Sequence, residues 1–240
     1  MQNGNEEKKL SGEVALQSPF LRKLDNFWYH YKWPVIGVAV ALIIALVCIL
    51  QTCSQRKEDT LIVYAGPVAL LPEGTEQISQ VISGVMPYDP DENGEMLTKV
   101  SAYEIYSEEQ IRAFAEEYPG QSIDKNRNQN EYRTYTSYQG TGQTCIYFLD
   151  PWLYESLDEE YLCPLSELTD GSVRGALEDG YGVRLGDTAL YEEYGVIRML
   201  PEDTVICLMN PFFMTKSWDE EAYAFEQDLF VAIVTYGEES

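Results

Sequence analysis

TCIYFLDPWLYESLDEEYLCPLSEL, residues 144–168, decides how the chain is built. Its opening run, TCIYFLD, is apolar without alternation, the pattern of a central strand covered on both faces. Asp150 then suits the N-cap of a helix. Pro151 suits its first position, where the missing N–H would have no partner anyway. LCPLSEL closes the unit with a second apolar step. In open α/β sheets, ligands sit at the carboxyl ends of strands. Asp150 and Trp152 are therefore candidate ligand-binding residues, a polar anchor and a ring. Each also has a sufficient structural task, capping and packing.

The same grammar extends in both directions. TLIVYAGP, residues 60–67, reads as a strand ending in a Gly-Pro turn. Tyr64, Ala65 and Gly66 fall at its carboxyl end, and Tyr64 joins Trp152 as a candidate apolar face for a ligand. GTEQISQVISGVMP carries Ile78, Val81, Ile82 and Val85 at helical spacing. KVSAYEIY alternates as a strand. SEEQIRAFAEEY opens with a Ser107/Gln110 capping box and places Ile111, Phe114 and Tyr118 on one side. Residues 119–140 are polar and read as a surface loop leading to a short helix or strand. DGYGVRLGDTALYEEY is turn-rich with short strand-like pieces, and TVICLMNP is another buried strand. The strand-end rule applied to it adds Asn210, Phe212 and Phe213. SWDEEAYAFEQDLFVAIVTY reads as a final helix with a Ser217/Glu220 capping box. Its apolar stripe is Trp218, Ala222, Phe225, Leu229 and Ile233. Alternating strands and helices predict an α/β fold: one mostly parallel or mixed sheet with flanking helices.

Upstream, WPVIGVAVALIIALVCIL, residues 33–50, holds no charge. As a helix it spans roughly 27 Å, close to the hydrocarbon core of a bilayer. Some 32 residues precede it and no A-x-A site follows, so an uncleaved transmembrane anchor is expected rather than a signal peptide. Lys8, Lys9, Arg22, Lys23 and Lys32 precede the span, whereas only Arg56 and Lys57 follow closely. That bias predicts a cytoplasmic N-terminus and an extracytoplasmic C-terminal domain. Phe27, Trp28, Tyr29, Tyr31 and Trp33 form the aromatic belt. The expected divisions are a tail at 1–32, a transmembrane helix at 33–53, a linker at 54–60 and an α/β domain at 61–240.

Composition removes several function classes. Of 16 basic and 40 acidic side chains, five and four lie in residues 1–53. The remaining 11 and 36 give residues 54–240 a net charge of −25, which repels phosphate backbones and rules against nucleic acid as a partner. The one histidine, His30, precedes the span, so the domain holds no Ser-His-Asp triad, Cys-His pair or histidine metal ligand. A carboxylate-based hydrolase is the enzyme class that survives. No P-loop and no C-x-x-C are present. Cys145 and Cys207 lie in apolar runs and read as buried thiols. Outside the cell, a disulfide among Cys145, Cys163 and Cys207 is the open alternative.

DPDENGEM places Asp89, Asp91, Asn93 and Gly94 at the first, third, fifth and sixth positions of a calcium loop. The twelfth position, where a bidentate Glu belongs, is Val100, and a strand follows instead of a helix. An EF-hand is not expected. A weak calcium site on Asp89, Asp91 and Asn93 stands beside the simpler reading of a solvated turn, and no other cofactor is expected.

IYFLDPWLYESL with LCPLSEL resembles a stretch of bacterial extracellular solute-binding proteins. YKWPVIGVAVALII, VYAGP, YGVRLGDT and LPEDTVICLMNP give a closer resemblance to uncharacterised single-pass membrane proteins of Clostridia-type Gram-positive bacteria, from about residue 27 onward. The first resemblance implies one lobe of a solute-binding fold, about half the usual length, with a transmembrane helix replacing a lipid anchor. The expected function is a membrane-anchored binding module for a small molecule or protein. The alternative is a structural or interaction subunit of an envelope complex, docking through an apolar patch around NPFFM, and in either case the expectation is no enzyme.

Overall fold

The computed structural model describes residues 19–54, 58–169, 172–211 and 218–238. The chain divides into two compact units, residues 1–56 and 57–240. The first contains one helix, α1 (Pro19–Ser54). It is long and apolar enough between Tyr31 and Cys48 to cross a membrane, and no side chain of that stretch is buried. The helix begins well before the expected span and ends one residue beyond it. The aromatic stretch ahead of Trp33 is thus helical, and the expected linker is shorter by one residue at each end.

In the second unit, five strands form one mixed sheet in the order β2-β1-β3-β5-β4. They are β1 (Thr60–Gly66), β2 (Thr98–Glu104), β3 (Ile146–Leu149), β4 (Gly182–Arg184) and β5 (Val205–Leu208). β1 pairs in parallel with β2 and β3, while β5 runs antiparallel to both β3 and β4. Four strands therefore share a direction and β5 alone opposes them. TCIYFLD is central, with all four residues of β3 buried, as its unbroken apolar run requires.

β1 leads through α2 (Pro72–Val85) to β2 on one side. β2 leads through α3 (Glu108–Glu117) and α4 (Lys125–Thr141) to β3 on the other side of β1. Crossovers in opposite directions with one handedness place their helices on opposite faces. Accordingly Ile78 and Ile82 of α2 pack with Ile62, Tyr64 and Phe148. Tyr135 of α4 packs with Val63, Ala65, Tyr147 and Leu149. Burying each such isoleucine contributes about 1.5–3 kcal/mol. α8 (Glu220–Val234) adds Phe225, Leu229, Phe230 and Ile233 to the α2 face. After β3 come the short helices α5 (Pro151–Glu155) and α6 (Leu165–Leu168), and α7 (Ala189–Glu193) precedes β5.

Two local expectations are corrected. Much of residues 119–140 is helical, because α4 spans 17 residues. Asp124 caps it by accepting from the Asn126 and Arg127 N–H groups, and Gly142 ends it in the left-handed conformation, φ 65°. Its inward groups are tyrosines rather than aliphatic residues, so no apolar stripe announces it. At α8, Asp219 is the cap, accepting from Ala222 N–H at 2.7 Å. Ser217, expected in that role, lies outside the described residues, as do Phe212, Phe213 and most of NPFFM. The Ser107/Gln110 box is present with both of its hydrogen bonds.

Cys145, Cys163 and Cys207 are buried, and none of them is in a disulfide. Cys145 belongs to the α2-side core and Cys207 to the α4-side core, so the sheet lies between them. Burial pushes the Cys207 thiol well above its ordinary pKa.

Candidate functional site

The strand order reverses between β1 and β3, and their carboxyl ends form the switch point where ligands bind in such sheets. Asp150 stands there. Its N–H donates to Ala65 O at 2.8 Å, and its side chain is buried. One carboxylate oxygen accepts from Trp152 N–H at 3.2 Å and the other from Gln110 Nε2 at 2.9 Å. Gln110 in turn accepts from Ser107 N–H at 2.8 Å. A single carboxylate thus ties the start of α5 to the start of α3. Burial pushes its pKa up, and the Gln110 and Trp152 donors pull it part of the way back.

Trp152 lies on the next position outward. Its indole stacks on Tyr132 of α4, with centroids 6.2 Å apart and planes at 19°. The two rings, with Ile105 and Ile111, line a recess of about 470 Å³ at the carboxyl ends of β2 and β3. Glu108 and Lys125 stand at its mouth, one from each helix start, and both are exposed. Asn128 also lines the recess, but its amide is spent on the backbone N–H and C=O of Tyr106, at 2.8 and 2.9 Å. Those bonds latch α4 to the end of β2. The Trp152 indole N–H is buried and meets no acceptor among the described residues. An orphaned donor of this kind costs about 1–3 kcal/mol.

Tyr64 is placed differently from the expectation. It is fully buried on the α2 side of the sheet, whereas Trp152 packs on the α4 side. Its hydroxyl turns back under the strand end, accepting from Val68 N–H at 3.3 Å. A Cβ at residue 66 would come within 2.7 Å of that hydroxyl, so Gly66 is required there. Tyr64 and Trp152 therefore form no common face. Asn210 is also separated: because β5 is antiparallel, its end lies beside the start of β3, where Met209 N–H donates to Cys145 O. The residues missed from sequence are Tyr132, Glu108 and Lys125. Glu108 lies in the first turn of an expected helix and Tyr132 in a stretch expected to be a loop, so nothing local announces their convergence.

The opposite end of the sheet carries a groove of about 980 Å³ bordered mostly by acidic and aromatic side chains. Carboxylate oxygens of Asp59, Asp89 and Asp91 lie there within 4.8 Å of one another. Asp59 accepts from Leu97 N–H, Asp89 from Gly94 and Asp91 N–H, and Asp91 from Asn93 N–H. The Gly94 N–H holds the Asp89 carboxyl below its ordinary pKa. Asn93, expected beside Asp89 and Asp91, instead spends its side-chain oxygen on Glu95 N–H at 2.7 Å. The gathered set is thus Asp59, Asp89 and Asp91, three hard oxygen donors already organised by backbone N–H groups.

Comparisons with protein-family models, with curated proteins and with solved structures found no match for the chain.

Proposed function

We propose that the chain is a single-pass membrane protein whose extracytoplasmic α/β domain is a binding module, taking a small molecule in the recess walled by Trp152 and Tyr132. One observation carries this reading. An aromatic-lined recess stands at the carboxyl ends of the parallel strands, and the buried indole N–H in its wall has no acceptor among the described residues. Its volume lies in the range of small-molecule pockets, about 300–1,000 Å³. Asp150 serves this site from behind by tying the start of α5, which carries Trp152, to the start of α3. The anchor reading rests on the uncharged 18 residues of α1, and the orientation on the five basic residues ahead of them.

The experiment is a ligand screen on the full chain in detergent micelles, with ¹⁵N-labelled tryptophan. The chain has four tryptophans, so four indole signals, and Trp152→Phe assigns the relevant one. A compound that moves the Trp152 signal while leaving Trp218 in place supports the site. A broad panel of sugars, amino acids, nucleosides and peptides that moves neither shifts the weight to the interaction-subunit reading. Topology is tested separately: protease added outside intact cells should remove a C-terminal epitope tag, and full protection would reverse the orientation.

A further inference from the structure

We infer that the ligand of the Trp152 recess is a free α-amino acid with an aromatic side chain; this rests on the binding-module reading above and narrows it. The inference follows from which polar groups at the recess are already used. Asn128 is consumed by the Tyr106 backbone. The Ser107 hydroxyl accepts from Gln110 N–H. The charged groups at the mouth are Glu108 and Lys125, and neither forms an ion pair within 4 Å among the described residues. Two unlike charges therefore flank one opening without neutralising each other.

A ligand that carries an ammonium and a carboxylate together can answer both charges at once. The floor they flank is made of the Trp152 and Tyr132 rings with Ile105 and Ile111, which suits a ring in offset or edge contact. A zwitterion with an aromatic side chain meets all three demands at once. The domain's field sharpens the choice. With a net charge of −25 on residues 54–240, an anion without an ammonium is repelled and a simple cation is attracted nonspecifically. A neutral zwitterion is indifferent to that field and gains only from the local pair. A peptide terminus offers one of the two charges, not both.

The test compares L-phenylalanine with L-phenylalaninamide and N-acetyl-L-phenylalanine, which keep the ring and one charge each. Binding to the full chain in micelles is read from the Trp152 indole signal, with Trp218 as the internal control. L-phenylalanine should bind about tenfold or more tightly than either analogue, as one charge-assisted hydrogen bond at a partly exposed site implies. Glu108→Gln should erase its advantage over the N-acetyl compound. Lys125→Met should erase its advantage over the amide. Both residues are exposed in the first turn of their helices, so neither change threatens folding. Equal binding of the three compounds, or variants that bind L-phenylalanine like the parent, would overturn the amino-acid assignment and leave the recess as a site for another ring-bearing ligand. A Trp152 signal unmoved by all three, but moved by another compound in the screen, overturns the assignment alone. Silence to every compound removes both readings.

Discussion

The two ends of the sheet present opposite solutions to placing carboxylates. At the carboxyl end of β1 and β3, Asp150 is buried, accepts from two donors on different helices, and is pushed toward its protonated form by its surroundings. At the amino end, Asp89 is held below its ordinary pKa by backbone N–H groups of its own loop, with Asp91 exposed beside it. One carboxylate organises tertiary structure around a recess. The other shapes a local turn. The lesson is that an acidic domain cannot be read by counting acids: what matters is whether the donors facing each one come from its own loop or from a distant helix.

The sharpest way to break this contrast is a pair of alanine substitutions. Asp150→Ala should cost about 2 kcal/mol, from a lost N-cap and a deserted Gln110 donor. Asp89→Ala should leave the melting temperature within about one degree, as for a surface change. Thermal melts of the full chain in micelles decide it. Equal losses would mean that both acids are local caps and that Asp150 does not tie α3 to α5.

The pH dependence of that loss sharpens the contrast further. A carboxyl whose pKa is raised by folding binds more protons in the folded state, so its contribution to stability falls as pH rises through the raised value. The gap between the parent and Asp150→Ala should therefore be wider near pH 4.5 than at pH 7. For Asp89, whose pKa is lowered, the sign is reversed: its contribution is present above the unfolded value and lost as pH falls. Melting curves of Asp150→Ala against the parent between pH 7 and 4.5, and of Asp89→Ala against the parent below about pH 4, where a lowered carboxyl titrates, give the two slopes, and slopes of the same sign would contradict the assignment.

A smaller effect is expected from Tyr132→Leu. Tyr132 is partly exposed, so the change should cost less than about 1 kcal/mol while removing its ring contacts with Trp152 and Tyr135. It should nevertheless move the Trp152 indole signal clearly and leave Trp218 unaffected. An unmoved Trp152 signal would mean that the stacked wall does not persist in solution.

The smallest effect lies at the acidic end. Asp91→Asn keeps the oxygen that accepts from Asn93 N–H and removes one of three crowded charges, so the melting temperature should rise by at most about one degree. Sodium chloride should narrow the difference by screening. Millimolar calcium that stabilises the parent no more than sodium chloride of equal ionic strength would identify a solvated turn. A calcium-specific gain, lost in Asp91→Asn, would identify a coordinating set.

Much of the architecture was legible because it depends on local pattern. The unbroken apolar run of TCIYFLD dictates a strand buried on both faces, and Asp150-Pro151 dictates where the next helix starts. The stripe of Ile78 and Ile82 dictates which side of α2 is buried, and 18 uncharged residues dictate a helix able to cross a bilayer. α4 was not legible as a helix because it buries tyrosine rather than an aliphatic stripe, although Asp124 and Gly142 marked its ends. The direction of β5 was not legible either: a strand buried on both faces reads the same in both senses, and that ambiguity put Asn210 at the wrong end of the sheet. Only tertiary structure could place Tyr64 and Trp152 on opposite faces, since strand parity fixes a side chain's face relative to its own strand and not to a residue beyond a turn. The same holds for the recess, whose ring wall joins α4 to α5 and whose two charges come from the starts of α3 and α4. Sequence determines each element through its own periodicity and caps, whereas convergence of side chains from separate elements is decided by how those elements pack.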